Sequence, residues 1–402
     1  MTGTLSDAER IEAAGVVGAG GAGFPTHIKA RGAAEVVIGN GVECEPLLAK
    51  DKAIMRAYPD QVVAGMAVMM GCVGAKRGIV GIKRKNTREI EAMRTAARRS
   101  GMDISVIELS DFYPAGDEHV LVYEATGRVV PAGGIPLAAG AVVSNVETLL
   151  NVSRAVSGHP VTHKFVTVTG EVERPATFKA PVGASFARLI EAAGGVTARV
   201  RGGFEVVQDG PMMGKIIPPG ADLEKVIVTK TTSGVIVLPS GHSLLSEKRR
   251  SIEHQVRLAR SACISCSQCT DHCPRYLLGH PLEPHLIMRA FGYRNPDLSE
   301  DLSKYPELTM AGLCTGCGVC SLVCPMGLSP RCINERVKAA MAEARVKWAP
   351  KRGPKPPHPA RAGRQIPSRR IVSRLGLSRY AHGQHSGSGP ATEATREELI
   401  EL

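Results

Sequence analysis

"CISCSQCTDHCPRY", residues 263–276, carries the pattern C-x2-C-x2-C-x3-C-P, and "CTGCGVCSLVCPMG", residues 314–327, repeats it 51 positions on. Three closely spaced thiolates can wrap three corners of a cubane 4Fe–4S cluster, while the fourth, carried off on the following segment, ligates the other cluster. The spacing therefore predicts two crossed sites. Cluster one takes Cys263, Cys266, Cys269 and Cys324, and cluster two takes Cys314, Cys317, Cys320 and Cys273. A pair of zinc sites would need only two C-x2-C pairs. It would leave the third Cys and the following Pro274 and Pro325 without a reason. Crossing also sets the two clusters close together, as a relay for electrons requires.

Working outward, 402 residues predict two or three domains, and 43% apolar residues suffice for real cores. Aromatics at 4% argue against an extended base-stacking surface. The longest apolar stretch, residues 62–75, is broken by Gly65, Gly71 and Gly74 and is too short to span a bilayer. "MTGTLSDAER" has neither a basic start nor an apolar core, so no signal peptide is expected and the protein is placed in the cytoplasm. Eleven Cys in a reducing compartment point to metal or redox chemistry rather than disulfides. Cys44, Cys72 and Cys332 lack ligand spacing and are expected only to pack. The twelve His are scattered, and Met212 and Met213 are expected to pack as well.

The net charge of +12 is concentrated: residues 344–392 hold eleven Lys or Arg and no Asp or Glu. Such a Pro-, Gly- and Arg-rich stretch predicts a mostly disordered tail over 346–402, with "RRIVSRLGLSRY" as a short docking helix. No fold for base recognition accompanies the basic run, so nucleic acid is not expected as a partner.

Toward the N-terminus the pattern alternates. Ser6 and Glu9 form a capping-box signature for a first helix. "EVVIGN", "RGIVGIK" and "ISVIEL" read as strands, and "DQVVAGMAVMMGCVGA" and "NTREIEAMRTAARRS" as helices, which predicts a parallel α/β sheet. A Gly/Pro-rich stretch runs from Tyr113 to Ala141, and "VSNVETLLNVSRAV" reads as a closing helix. The segment 163–238 reads as a small α+β unit: a hairpin, the helix "SFARLIEAAGG", then strands "FEVVQDG", "VIVTK" and "GVIVL". From Glu247 the chain turns helical around the Cys motifs. The predicted domains are 1–155, 160–240 and 247–345, followed by the tail 346–402.

"GAGGAG" contains Gly18, Gly20 and Gly23 as G-x-G-x-x-G, with Gly21 between. A dinucleotide fingerprint should follow a strand. Here a helix precedes it, which disfavours a simple Rossmann site, although glycines still allow close backbone approach to a ring or a phosphate.

"GAGGAGFPTHIK", "NGVECEPLLAKDKAIM" and "SNVETL" resemble, in order, the flavin-site segments of the complex I flavin subunit. Over nearly the whole chain the resemblance is closer to the PduS-type cobalamin (corrinoid) reductases of propanediol utilization and their RnfC-like relatives. It rests on "YPAGDEHVLVYEATGRVVPAGGIPL", "GPMMGK" and "RLGLSRY" as well. "VTVTGEVERPATFKAPVG" resembles the family's SLBB β-grasp domain. The resemblance implies an N-terminal parallel-sheet flavin domain, an SLBB-like β-grasp domain and a helical, ferredoxin-like dicluster domain. It implies FMN held by Gly18, Gly20, Gly21, Gly23, Lys29, Asn40, Glu43, Glu45 and Asn145. In one departure, Val42 stands where the complex I family carries Asp. Gly116 and Glu118 fall where that family has a second glycine-acidic segment.

The function implied is that of an NADH-dependent flavo-iron–sulfur oxidoreductase reducing cob(III)alamin or cob(II)alamin for a B12-dependent enzyme in a bacterial microcompartment. No side chain is assigned as a catalytic acid, base or nucleophile, because the cofactors carry the chemistry. The partners implied are NADH, a corrinoid or a protein carrying it, and an adenosyltransferase or shell proteins. One alternative is an RnfC-like subunit working between NADH and a ferredoxin or membrane partner. Another is a non-enzymatic relay or scaffold subunit.

Overall fold

The structure, a computed structural model, describes residues 5–200, 202–294, 296, 298, 302–348, 355–381 and 398–402. The chain opens with helix α1 (Asp7–Ala13), where Ser6 and Glu9 close the expected capping box. The glycine-rich loop follows and leads into the short α2 (Thr26–Ala30). Then come β1 (Val36–Asn40), α3 (Lys50–Ala57), α4 (Pro59–Val73), β2 (Arg77–Lys83), α5 (Thr87–Ser100), β3 (Ile104–Leu109) and β4 (Phe112–Tyr113). Helix α6 (Glu118–Thr126), β5 (Ala141–Asn145) and α7 (Val146–Val156) complete the unit. The sheet runs β3-β2-β1-β5, and each neighbouring pair is parallel. One core cluster gathers Met66, Met69, Leu149 and Leu150 from α4 and α7, and another gathers Val120, Leu121 and Val122 from α6.

Two departures from the sequence pattern matter for the site. The residues expected to begin a helix at Val143 instead finish β5, and α7 starts only at Val146. The run Ala-Val-Val-Ser is buried against β1, and Asn145 then caps α7 through its side chain. The Gly/Pro-rich stretch from Tyr113 also contains α6, capped by Asp117.

The second unit holds β6 (His163–Gly170), β7 (Ala176–Pro181), α8 (Phe186–Ala192), β8 (Phe204–Gln208), β9 (Lys215–Ile216) and β10 (Gly234–Pro239). Parallel β6 and β10 form its centre, flanked by antiparallel β7 and β8. Phe178, Phe186, Leu189 and Val237 fill the space between sheet and helix, a β-grasp arrangement. "VIVTK" is not a strand; only Ile227 makes an isolated bridge, to Ser185. Its end turns instead, because the Thr232 hydroxyl accepts from the Thr229 N–H at 3.0 Å.

The third unit is helical. Ile252–Ala262, Pro284–Tyr293 and Pro330–Glu343 pack around Ile287, Phe291, Ile333 and Val337. Among the described residues no helix is long and apolar enough to cross a membrane.

The tail differs from the expected disorder over 355–381. Ile366–Pro367 pairs antiparallel with β4, and two short helices follow, Ser368–Arg374 and Ser378–Ala381. Ile371, Leu375 and Leu377 are buried with Leu47, Met212, Ile236 and Leu245 from the first two units and the connection beyond them. The basic residues find acids: Arg361 pairs with Glu124, Arg364 with Asp271 at 3.1 Å, and Arg379 with Glu171 at 3.3 Å. Composition reads such a segment as solvated; docking on a junction of domains buries it. Residues 382–397 of the expected tail lie outside the described residues.

Candidate cofactor sites

The expected flavin residues other than Glu45 converge at the carboxyl ends of β1 and β5, where ligands of open α/β sheets bind. Asn40 and Asn145 are direct partners in the β1–β5 register. The glycine loop lies against them: a Cβ on Gly20 would sit 3.5 Å from that of Asn145. Gly21 and Gly23 have φ of 110° and 65°, conformations that glycine adopts without strain. The loop is pinned at its base, where Gly18 N–H donates to Phe24 O at 2.9 Å, while Gly20, Gly21 and Ala22 stay exposed. Phe24 and Ile28 are exposed beside it. The Ser144 hydroxyl, next to Asn145, is buried without a hydrogen-bond partner. An open glycine backbone with apolar side chains alongside and an unsatisfied hydroxyl at the strand end suits a flat ring with a phosphate.

The polar side chains do more holding than offering. Asn40 Nδ2 donates to Gly116 O at 2.9 Å. Asn145 Oδ1 accepts from Glu147 N–H at 3.0 Å, and its Nδ2 donates to Asp51 at 2.9 Å. Lys29 donates to Val143 O at 2.7 Å and pairs with Glu118 at 3.1 Å. Glu43 accepts from Asp51 N–H at 2.6 Å, with its own backbone at φ 44°. Burial, with the Asp51 carboxylate beside it, raises the Glu43 pKa to about 7.

Glu45 is placed elsewhere. Both its oxygens accept backbone N–H groups of the "GPMMGK" turn, Met212 and Met213, each at 2.9 Å. A Cβ on Gly210 would overlap the Glu45 carboxylate, so only glycine lets the turn approach this closely. Glu45 thus ties the flavin unit to the β-grasp unit.

Beneath the loop lies a buried charge network absent from the sequence-based residue set. Lys50 donates to Asp51 at 2.7 Å and to Glu147 at 3.0 Å, and Lys164 from β6 also pairs with Glu147. Burial opposes the charge on Lys50, yet Asp51, Glu147 and Glu43 outweigh it and raise its pKa. Burial likewise opposes the Glu147 carboxylate, but Lys164 and Lys50 hold it below the usual carboxylate range. Lys164 is lowered to about 8, chiefly by burial. Two bonds hold the loop above it: Lys164 Nζ of this network donates to Ala19 O at 3.2 Å, and Ala19 N–H donates to Oγ1 of neighbouring Thr148 at 2.9 Å. Lys50, Asp51 and Glu147 lie inside stretches already quoted; Lys164 carries no motif.

The eight expected sulfurs fall into two quartets. Cys263, Cys266, Cys269 and Cys324 line one pocket, together with Ile264, Met288 and Met326. Burial first, then Cys263, Cys324 and Cys266, push the Cys269 thiol up to about 12. In the other quartet burial raises Cys320 well above its usual value, with Cys314, Cys317 and Cys273 adding to it. Burial likewise pushes Cys273 up to about 12, with Cys314 contributing. Thiolates that raise one another's pKa are stable together only around positive charge, which an iron cluster supplies. Among the described residues no three His, Cys, Asp or Glu converge as ligands of a single metal ion.

The two motifs wrap alike. Gly316 and Gly318 take φ of 72° and 82°, and the matching Ser265 and Ser267 take 52° and 61°. Left-handed residues between the cysteines turn the backbone around the sulfurs, and in the first motif serines accept that strain. The quartets differ in position. Cys317 and Cys320 lie inward, and the Tyr113 hydroxyl of β4 donates to Cys317 O at 2.8 Å. Cys266 is exposed, with Ile264 and Met326 exposed beside it. Cys44, Cys72 and Cys332 join neither quartet; Cys44 is raised to about 11, mainly by burial, and accepts the Gly116 N–H.

With this geometry in view, known proteins fall into line. Residues 11–154 match the Nuo51 FMN-binding domain, 165–215 the SLBB domain and 262–329 the 4Fe-4S dicluster domain. The chain is 39% identical over 387 residues to cobalamin reductase PduS of Citrobacter freundii, covering 94% of this chain and 81% of the relative. It is 40% identical to cobalamin reductase PduS of Salmonella typhimurium, covering 92% and 78%. A component of the Na(+)-translocating ferredoxin:NAD(+) oxidoreductase complex of Acetobacterium woodii is 33% identical over 66% of this chain and 56% of the relative. In fold, the chain is similar to an air-oxidised NAD+-reducing [NiFe]-hydrogenase structure, with TM-score 0.53 at 20% identity over 93% of this chain and 66% of that one.

Proposed function

The chain belongs to the PduS family of cobalamin reductases, and we propose on that footing that it is an NADH-dependent flavo-iron–sulfur reductase of cobalamin. The glycine loop 18–23, with Ser144, Asn145, Asn40 and Lys29 around it, would hold FMN. Cys263, Cys266, Cys269 and Cys324 would hold the outer 4Fe–4S cluster, and Cys273, Cys314, Cys317 and Cys320 the inner one. When bound, these groups supply the conversion of a two-electron donor's equivalents into single electrons.

The observation that carries the reading is the placement of the two quartets in series. The inner one abuts the flavin unit through Tyr113 and Cys317, and the outer one opens beside exposed Ile264 and Met326. That arrangement supports an order from flavin unit to surface. Lys164 and Thr148 fix the loop at Ala19, and Glu45 fixes the β-grasp turn against the flavin unit. A corrinoid, free or carried by a protein, meets the exposed rim around Cys266. Its delivery to a B12-dependent enzyme, with an adenosyltransferase or shell proteins of a bacterial microcompartment as neighbours, belongs to the same proposal.

Anaerobic purification with iron, sulfide and flavin quantified, followed by NADH under EPR, tests it. About eight irons, one FMN, and clusters reduced by NADH are expected from two 4Fe–4S sites. Cobalamin should then be reduced in solution. Activity confined to a ferredoxin or a membrane fraction would favour a role inside a ferredoxin:NAD(+) oxidoreductase complex instead. Irons without flavin would leave only a relay or scaffold role.

A further inference from the structure

Arg275 follows Cys273 and Pro274 directly and is 93% buried, with 7% of its surface exposed. Its Nη2 pairs with Asp117, the cap of α6, at 3.1 Å. Its Nε and Nη1 are buried with no hydrogen-bond partner. Leaving two donors of a buried cation unsatisfied is costly, so a group that accepts them is implied. Inorganic sulfide of a cluster held by the inner quartet would be such an acceptor. Cys273 accepts the Arg275 backbone N–H, and the guanidinium lies near enough to favour the thiolate charge on that sulfur.

The surroundings leave Arg275 as a fixed charge. His119 and His280 meet edge to face at 5.4 Å beside it. Burial, then Arg275 itself, hold His119 down at about 3, and burial lowers His280. Both rings are therefore neutral at ordinary pH. Asp117 is the facing anion, and its charge also reaches Cys317 of the inner quartet.

We propose that the Arg275–Asp117 pair sets the reduction potential of the inner cluster, with Arg275 raising it by hydrogen bonds and charge toward the sulfides and Asp117 lowering it. The inference rests on the cluster assignment above. Reduction adds one negative charge to the cluster, and potentials follow net charge and hydrogen bonds to sulfur. The guanidinium therefore favours the reduced form and the carboxylate opposes it. The pair also joins the cap of α6 to the cluster's own ligand segment, so the flavin unit contributes to the setting.

The test is a redox titration of the holoprotein followed by EPR, with the outer cluster as internal reference. Arg275→Gln is expected to lower the inner midpoint by a tenfold change in the reduction equilibrium, about 59 mV for one electron. Asp117→Asn, which still caps α6, is expected to raise it. Arg275→Lys should stay nearer the wild type. Opposite signs from the two neutral variants set this apart from a general increase in water access, which moves both the same way. An unchanged inner midpoint in Arg275→Gln at full iron content, or shifts of one sign in both, would overturn the proposal. If Arg275→Gln loses iron, Asp117→Asn decides alone: a rise supports it, and no shift or a fall overturns it. Wild-type protein with far fewer than eight irons would instead sink the cluster assignment.

Discussion

Lys164, on central strand β6 of the β-grasp sheet, donates to the Ala19 carbonyl in the glycine loop at 3.2 Å and pairs with Glu147 of the flavin unit. One buried ammonium thus joins two domains at the site where the flavin would lie. Replacing it by methionine leaves Glu147 with the Lys50 ammonium and the Phe165 N–H, and frees Ala19 O. Removing one partner of a buried pair costs about 3–5 kcal/mol. Lys164→Met is expected to lose that stability and to release FMN more readily, read by chemical denaturation and by flavin retained on a desalting column. In a double-mutant cycle with Glu147→Gln the two losses should fall well short of adding. Additive losses would mean that the pair is not coupled.

Glu43 gives the site a pH dependence of a definite sign. Its folded pKa, about 7, lies above the ordinary glutamate value. Between about pH 4.5 and 7 the unfolded chain therefore binds fewer protons at this residue than the native one, and the slope of stability with pH is negative. The contribution is whole at acid pH and is lost as pH rises through 7, on the order of 3 kcal/mol at most by the usual 1.36 kcal/mol per unit. Glu43→Gln should remove this fall, so the variant gains relative to wild type from pH 5 to pH 7.5. Thermal midpoints at the two pH values check it; equal differences at both would contradict the raised pKa.

The left-handed residues of the Cys motifs invite an exchange experiment. Ser265 and Ser267 hold φ of 52° and 61°, where Gly316 and Gly318 stand in the second motif. An L-residue in this region costs about 1–2 kcal/mol. Ser265→Gly and Ser267→Gly should therefore leave iron content unchanged and raise the thermal midpoint. Gly318→Ala should lower it, since its new Cβ would also approach Met212 at 3.3 Å. Iron analysis alongside scanning calorimetry reads both. A glycine variant that loses iron would show that the serine hydroxyls themselves support the cluster.

Legibility in the sequence followed the range of the interaction. The eight cysteines could be read because their chemistry needs spacings of three and four residues within one turn of chain. Strands β1 to β3 could be read because short apolar-rich runs alternate with helices. Strand β5 could not, since Ala-Val-Val-Ser runs straight into the helical "NVETLL", and only pairing with β1 separates them. Lys164 sits in "HKFVTVTG", which says strand and nothing of a carboxylate in another domain. Glu45 reads as part of a flavin motif, yet its oxygens close on Met212 and Met213, 167 and 168 residues away. The strap 355–381 reads as a solvated basic linker because its apolar positions have no partner until three units have folded.

That strap carries the last prediction. Ile371 and Leu377 are fully buried among Leu47, Met212, Ile236 and Leu245, which come from both sides of the β-grasp junction. The Tyr380 hydroxyl donates to the buried Glu171 at 3.0 Å. A disordered tail could be cut away without consequence; this one covers apolar surface that would otherwise face water. Ile371→Ala is expected to cost about 2–5 kcal/mol, as for a large aliphatic residue in a core. Truncation before residue 355 should do more, exposing Leu47 and Leu245 and loosening the hold of the second unit on the first. Because Lys164 reaches the glycine loop across that junction, loss of the strap should appear as loss of FMN while the iron content of the Cys quartets is kept. Flavin and iron are measured on the same sample. A truncated protein that retains its flavin would show that Glu45 and Lys164 alone hold the two units together.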